Sequence, residues 1–296
     1  MKIVLAGASG LLGSCLKKAL IADGHHVVQL VRHEPRGPEE SRWDPYTAHV
    51  DLGALEGADV VINLAGAGVG DKRWTPKYKL ELRSSRVDVT RFLASALAKL
   101  ERPPAALLNA SAIGIYGDRG VSVIDESSGP GEGFLAELCV EWEAATQPAR
   151  DSGIRVVNLR TGLVLTPDGG FLAPQLLPAK LGVSGPIAGG KQYQSWIHVD
   201  DWLAAVRLAM TNEKLEGPLN LTAPNPAQQK DVAKALGKVL HRPAFMPVPG
   251  FALKVLLGGF AVEVLEGARV LPKKLEQFGY VFEHPQLEEA ISDVLQ

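Results

Sequence analysis

Gly7-Ala8-Ser9-Gly10-Leu11-Leu12-Gly13 decides the fold. Its glycines stand at i, i+3 and i+6. They follow the short apolar run Lys2–Ala6 and open a stretch, 11–22, whose apolar residues recur at helical spacing. A strand, a glycine turn and a helix in that order make a phosphate-binding junction. Gly7 can turn tightly without a Cβ clash. Gly10 lets a pyrophosphate approach the backbone, and Gly13 lets the helix pack on the sheet. The helix start at Leu11 and Leu12 offers unpaired N–H groups and a partial positive charge. Ser9 adds a hydroxyl donor. Gly7, Ser9, Gly10, Leu11, Leu12 and Gly13 are therefore the expected cradle for the diphosphate of a dinucleotide.

The same alternation continues outward. Strand-like runs are expected at 26–31, 58–64, 105–110 and 154–159, with helical patterns at 76–100 and 134–149 between them. Short apolar strands alternating with helices build right-handed βαβ units and a parallel sheet. From about Thr166 glycines and prolines punctuate the chain. A helix follows at 201–210 with Asp200 as its expected cap, then a strand at 218–221 and a helix at 228–240. Pro247-Val248-Pro249-Gly250 marks a boundary, and a short strand is expected at 280–282. The expected class is α/β: a Rossmann-type doubly wound parallel sheet with a smaller mixed C-terminal lobe. The nucleotide-binding domain is expected over 1–221, its core mainly within 1–165, and the C-terminal domain over 249–296.

Composition narrows the function classes. With 46% hydrophobic and 22% charged residues, the 296-residue chain can form a substantial core, which excludes disorder as its main state. A net charge of −2 gives no basic face for nucleic acid. No window approaches the roughly 20 apolar residues of a membrane span. Cys15 and Cys139 are too far apart in a chain this long to make a disulfide framework, so both read as small core residues in a cytoplasmic protein. The seven histidines show no ligand spacing, so no metal is expected.

The choice of dinucleotide rests on the end of the second strand. A carboxylate there binds the 2′-hydroxyl of NAD, but this strand runs out in Leu30-Val31-Arg32-His33. Arg32 can instead pair with the 2′-phosphate of NADP. Leu64-Ala65-Gly66, at the end of a later strand, supplies the small residues against which the adenosine side can lie. NADP (as NADPH in its reduced form) is the expected cofactor.

The glycine spacing, Asn63-Leu64-Ala65-Gly66 and Ser111-Ala112-Ile113-Gly114-Ile115-Tyr116-Gly117 together resemble the extended short-chain dehydrogenase/reductases. Lys72-Arg73-Trp74, Ser85-Arg86, Phe134 to Cys139 with Trp142-Glu143, and Trp196-Ile197-His198 resemble its atypical "epimerase family" branch, sometimes labelled cell-division-inhibitor-like. Leu265-Glu266-Gly267 and Val270-Leu271-Pro272 resemble that branch's C-terminal domain of unknown function. The resemblance implies an oxidoreductase or nucleotide-sugar epimerase acting on a small molecule held between the lobes. It also implies that Glu81 and Arg86 approach the dinucleotide, and that Val164 lies beside the nicotinamide. The family's usual Ser, Tyr and Lys fall here on Ala112, Phe134 and Leu138. Tyr116 is then the first candidate acid/base, with Ser111 beside it at the cofactor edge; His198, more readily a cap or packing residue, and Glu137, more readily a solvated helix-face residue, are the others. The different-class alternative is a non-catalytic, NADP-dependent regulatory module with a protein partner. A homo-oligomer is compatible with either.

Overall fold

The computed structural model describes residues 1–296. The first half runs β1 (Lys2–Ala6), α1 (Leu11–Ala22), β2 (His26–Val31), β3 (Glu40–Asp44), β4 (His49–Val50), α2 (Leu52–Leu55), β5 (Val60–Asn63), α3 (Pro76–Ser84), α4 (Val87–Leu97) and β6 (Ala106–Ala112). A 3-10 turn over Ile113–Tyr116, β7 (Val123–Ile124), α5 (Phe134–Ala144), α6 (Gln147–Asp151) and β8 (Arg155–Thr161) follow. The second half adds β9 (Leu163–Thr166), β10 (Gly169–Gly170), α7 (Ala173–Lys180), β11 (Tyr193–Gln194), β12 (Trp196–His198), α8 (Val199–Thr211), β13 (Gly217–Leu221), β14 (Ala227–Gln228) and α9 (Gln229–Val239). The tail comprises α10 (Gly250–Leu257), α11 (Ala261–Leu265), β15 (Arg269–Val270), α12 (Lys273–Gln277) and α13 (Leu287–Val294).

The central sheet has the order β13-β8-β6-β5-β1-β2-β3-β4. Every pair is parallel except β3 with β4. The chain winds outward from β1 through β2 and β3, then returns to the other side of β1 as β5, β6, β8 and β13. The order therefore reverses between β1 and β5, where open α/β sheets form their ligand crevice. Strand alternation gives each face its own core. Ile3 and Leu5 pack with Leu16 and Leu20 of α1 and with Trp202 and Ala205 of α8. Val4 and Ala6 pack on the opposite face with Val28, Leu93, Leu97 and Ala149.

Several expected elements have different bounds. The single helix expected at 76–100 is two, α3 and α4. Between them Ser85 turns its hydroxyl back onto the Leu82 carbonyl, and the Arg86 N–H bonds to Arg83 O at 3.1 Å, one residue short of the α-helical pattern. The helix expected at 134–149 is likewise α5 and α6. Pro148 has no N–H to continue the ladder, and the Thr146 hydroxyl caps the Glu143 carbonyl at 2.7 Å. Strands β3 and β4 extend the sheet where no strand was expected. The strand expected at 280–282 does not form. That segment wraps the Asp201 carboxylate instead, which accepts from the Tyr280 hydroxyl and from the N–H groups of Glu283 and His284.

Ile62, at the centre of β5, is fully buried. Ile62→Ala is expected to cost about 2–5 kcal/mol. The check is a lower urea midpoint at an unchanged denaturant slope.

Candidate functional site

The glycine turn joins β1 to α1 at the sheet's reversal point. Gly7 has φ +81° and lies directly on the end of β5, where a Cβ would stand 2.6 Å from the Leu64 carbonyl carbon. A Cβ on Gly13 would overlap the Gly7 carbonyl oxygen. These two glycines therefore let three backbone segments meet. Gly10 differs: it is exposed, as is Ser9, and only the Gly7 oxygen stands near its missing Cβ, at 3.4 Å. Gly10 is the N-cap of α1, and no side chain caps it. The first N–H groups of a 12-residue helix thus open onto a surface that a Cβ would narrow.

Arg32 leaves the end of β2 exposed. Its neighbours are engaged locally: Glu34 pairs with Arg42, and the Arg36 N–H with Glu40. On the other side of β1, the Leu64-Ala65-Gly66 turn is held from below. Asn63 is fully buried. Its amide donates to Asn109 Oδ1 at 2.8 Å and to the Thr90 hydroxyl at 2.9 Å, while its oxygen accepts from the Ala65 N–H. Trp142 Nε1 closes the group on Thr90. This cluster escaped the sequence reading. Its signal was a pair of asparagines, Asn63 and Asn109, in register on two otherwise apolar strands.

Arg86 and Glu81, expected near the dinucleotide, sit in different surroundings. The Arg86 guanidinium is buried beneath the turn, donating to Ala67 O at 2.8 Å and Leu82 O at 3.2 Å and lying over the Trp142 ring. It stands within 3.3 Å of where a Gly66 Cβ would be. Its hydrogen bonds thus brace the turn rather than face a phosphate. Glu81 is exposed and paired with Lys72 at 3.1 Å, on the outer side of α3.

Val164, by contrast, is brought to the glycine turn. It lies on β9 beside Ile197 of β12, and the β9–β10 hairpin folds over the start of α1. A Cβ on Gly170 would be 3.2 Å from the Leu11 side chain and 3.4 Å from the Val164 carbonyl oxygen. One wall of the crevice is therefore the hairpin, and another is the start of α1.

Tyr116 is not presented to this crevice. It is fully buried, its hydroxyl donating to Asn220 Oδ1 at 2.8 Å and accepting from Arg160 Nη1 at 2.8 Å. Burial pushes its phenol above the usual range, against the pull of Arg160. The acid/base role expected for Tyr116 is therefore corrected to that of a buried support. Arg160 also makes a two-pronged pair with Glu143, both contacts 2.8 Å. Glu143 in turn accepts from the Ser111 hydroxyl at 2.6 Å. Asn220 extends the chain to the Leu271 carbonyl. Ser111, 4% exposed, thus belongs to this network. Glu143 and Arg160 were missed as partners because they lie 17 residues apart on a helix and a strand.

His198 replaces Asp200 as the cap of α8, its Nδ1 accepting from the Asp200 N–H at 3.2 Å. It gathers with Asp200, His284 and Asp293, a set whose donor atoms lie within 4.8 Å. The cap uses the Nδ1 lone pair, and the buried Nε2, 3.2 Å from an Asp293 carboxylate oxygen, makes no hydrogen bond. The His198 and His284 rings stack at 3.8 Å and 31°. Cys139 is an inert core thiol that burial pushes up to about 12.

The model of the "NAD dependent epimerase/dehydratase family" matches residues 3–221, and that of "Domain of unknown function (DUF1731)" matches 248–294. The chain belongs to the NAD dependent epimerase/dehydratase family. Among its relatives, "Epimerase family protein Mb2239" of Mycobacterium bovis is 41% identical over 98% of this chain and 96% of its own. "Epimerase family protein SDR39U1" of Mus musculus is 34% identical over the whole of both. The solved structure of human epimerase family protein SDR39U1 (isoform2) with NADPH superposes with a TM-score of 0.92 at 32% identity, covering 99% of each chain. A UDP-N-acetylglucosamine 4-epimerase from Bacillus cereus, 17% identical with a TM-score of 0.78, shares the fold. No helix of this family member is long and apolar enough to cross a membrane.

Two measurements check the buried groups. Arg160→Met strands the Glu143 carboxylate and is expected to cost about 3–5 kcal/mol, against about 1–3 for Tyr116→Phe. Burial and then His284 hold the His198 pKa below its ordinary value. A histidine depressed in the folded state contributes stability that is complete above its unfolded pKa, near 6.5, and lost as the pH falls toward the folded one. His198→Asn, which keeps a capping side chain, should flatten that acid-side loss in unfolding titrations below about pH 6.5.

Proposed function

We propose that this chain binds NADP(H) across the glycine turn and acts as an oxidoreductase or epimerase on a small molecule in the crevice between its two family-matched regions. The observation that carries this reading is the open cradle: two glycines at which a Cβ would collide with backbone, and a third, exposed one capping α1 without a side chain. Gly7, Ser9, Gly10, Leu11, Leu12 and Gly13 would hold the diphosphate, Leu64-Ala65-Gly66 the adenosine side, and Val164 the nicotinamide side. Arg32, exposed at the β2 end, would pair with the 2′-phosphate. A bound nicotinamide would supply or accept hydride; the chain's part is to bind, orient and exclude water. The relative solved with NADPH supports the choice of cofactor. The free thiols Cys15 and Cys139 support a cytoplasmic setting.

A second reading has its own support. Phe134 and Leu138 stand where the family's Tyr and Lys are expected, and neither can move a proton. The chain would then be an NADP-dependent regulatory module in which the cofactor orders a surface for a protein partner. Turnover with a panel of carbonyl compounds and sugar nucleotides favours the enzyme. Tight NADPH binding with silence across that panel, and a partner captured only with cofactor, favours the module.

Calorimetry tests the shared premise. NADPH is expected to bind, and Arg32→Ala to weaken it roughly 10- to 100-fold, the worth of a charge-assisted hydrogen bond. NADH should be affected far less. Equal losses for both reject the 2′-phosphate role of Arg32, and no heat with either removes the cradle.

A further inference from the structure

With Ala112 and Phe134 at the positions of the family's Ser and Tyr, and Leu138 and Tyr116 sealed in the core, the proton required by any carbonyl–alcohol interconversion needs another source. The C-terminal domain brings one carboxyl to the right place. The ring of Phe260 packs on Trp74 at 5.7 Å, and Trp74 packs edge-on to Phe134 at 5.2 Å. Phe260 caps the start of α11, and Glu263 follows it at i+3, one turn on and on the same side. Its charge acts on the Cys139 thiol of α5, which itself lies against the backbone of Ala112 at the end of β6. Further along the same segment, Ala268 packs with Ile115 and Cys139. The Phe260–Glu263 face is thus turned to the N-terminal half of α5 and the end of β6, where the missing groups belong.

We propose that Glu263 is the proton-transfer group of this crevice, taking the place of the absent phenol and ammonium. The assignment rests on the cofactor reading above. Glu263 is solvent-accessible and in no ion pair. The charged groups that act with it are Glu266, on its own segment, and the buried Cys139 thiol across from it. The Lys79 ammonium is spent over the rings of Phe134 and Trp74. Crowding on its inner side, and then Glu266, raise the carboxyl to about 7. At neutral pH it therefore populates both the acid and the base form. In the oxidising direction the carboxylate takes the hydroxyl proton of an alcohol. The C–H bond breaks, its hydride passes to nicotinamide C4, and a C=O bond forms. NADP+ becomes NADPH, and Glu263 leaves the step as the acid. Reduction is the reverse.

The test needs no substrate. NADP+ places a positive ring at the crevice and NADPH a neutral one, while both carry the same 2′-phosphate. A nearby carboxyl then gives up its proton to the first and not to the second. Calorimetry at pH 7 in buffers of low and high ionisation enthalpy should show more protons released per chain with NADP+ than with NADPH. Glu263→Gln is expected to abolish that difference, and Glu263→Asp to restore part of it. Equal proton counts for the two cofactor forms in the wild type overturn the assignment, as does a difference that survives in Glu263→Gln. No heat from either form removes the cofactor reading and this assignment with it, whereas heat with equal counts removes the assignment alone.

Discussion

Close contact between backbones at the β1–β5 junction is the constraint on which the rest depends. The Gly7 main chain rests on Leu64 and Ala65, and Gly13 rests on Gly7, with no room for a single added carbon at either position. This contact sets the angle at which α1 leaves the sheet. It also fixes where the Leu64-Ala65-Gly66 turn starts and brings the hairpin of Gly169 and Gly170 down onto Leu11. The polar groups beneath it are placed to hold it. Asn63 reaches across to Asn109 and Thr90, and Arg86 fills the space under Gly66. A buried amide or guanidinium left without partners costs free energy, so a fully satisfied network favours one arrangement of the turn over its alternatives.

On the far side of β6 a second network performs the corresponding task for the C-terminal domain. Ser111, Glu143, Arg160, Tyr116 and Asn220 form one continuous path from α5 through β8 to β13, ending on the Leu271 carbonyl. Glu126 adds a parallel tie, accepting from the N–H groups of Asn220 and Lys274. A buried ion pair is weak evidence for net stability, because desolvation opposes the Coulomb gain. Here every nitrogen of the guanidinium and both carboxylate oxygens have at least one partner. The network therefore acts mainly on position, setting the C-terminal domain at one register against the sheet edge.

How much of this could be read from the residues differs by feature. The glycine turn was legible because it combines a short-range spacing with an obligatory backbone geometry, and both lie within seven consecutive positions. The parallel order was legible because apolar strands alternate with amphipathic helices. The breaks at Ser85-Arg86 and at Ala145-Thr146 were not, since apolar periodicity runs through both. What stops each helix is a hydroxyl returning to a carbonyl, or a proline whose effect falls one turn earlier. Arg86 and Tyr116 misled for a related reason. A residue type and its neighbourhood in the chain say that a guanidinium or phenol is near the crevice, but not which way it points. That direction is set by partners such as Ala67, Trp142, Arg160 and Asn220, which come from other elements.

Phe134, at the head of α5, shows how a ring without a hydroxyl shapes its surroundings. A tyrosine at the head of α5 needs its hydroxyl wet and a lysine one turn later to keep its pKa in range. A phenylalanine there needs apolar cover instead. Trp74 supplies that cover from the loop after β5, and Phe260 of the C-terminal domain packs in turn on Trp74, so a chain of aromatic contacts ties the start of α11 to the head of α5. The same contacts hold the segment that carries Glu263 near the head of α5, and partial desolvation there, with Glu266 beside it, disfavours the charge of its carboxyl. An apolar ring at the head of α5 and a carboxyl on α11 are, in this geometry, tied to one set of aromatic contacts.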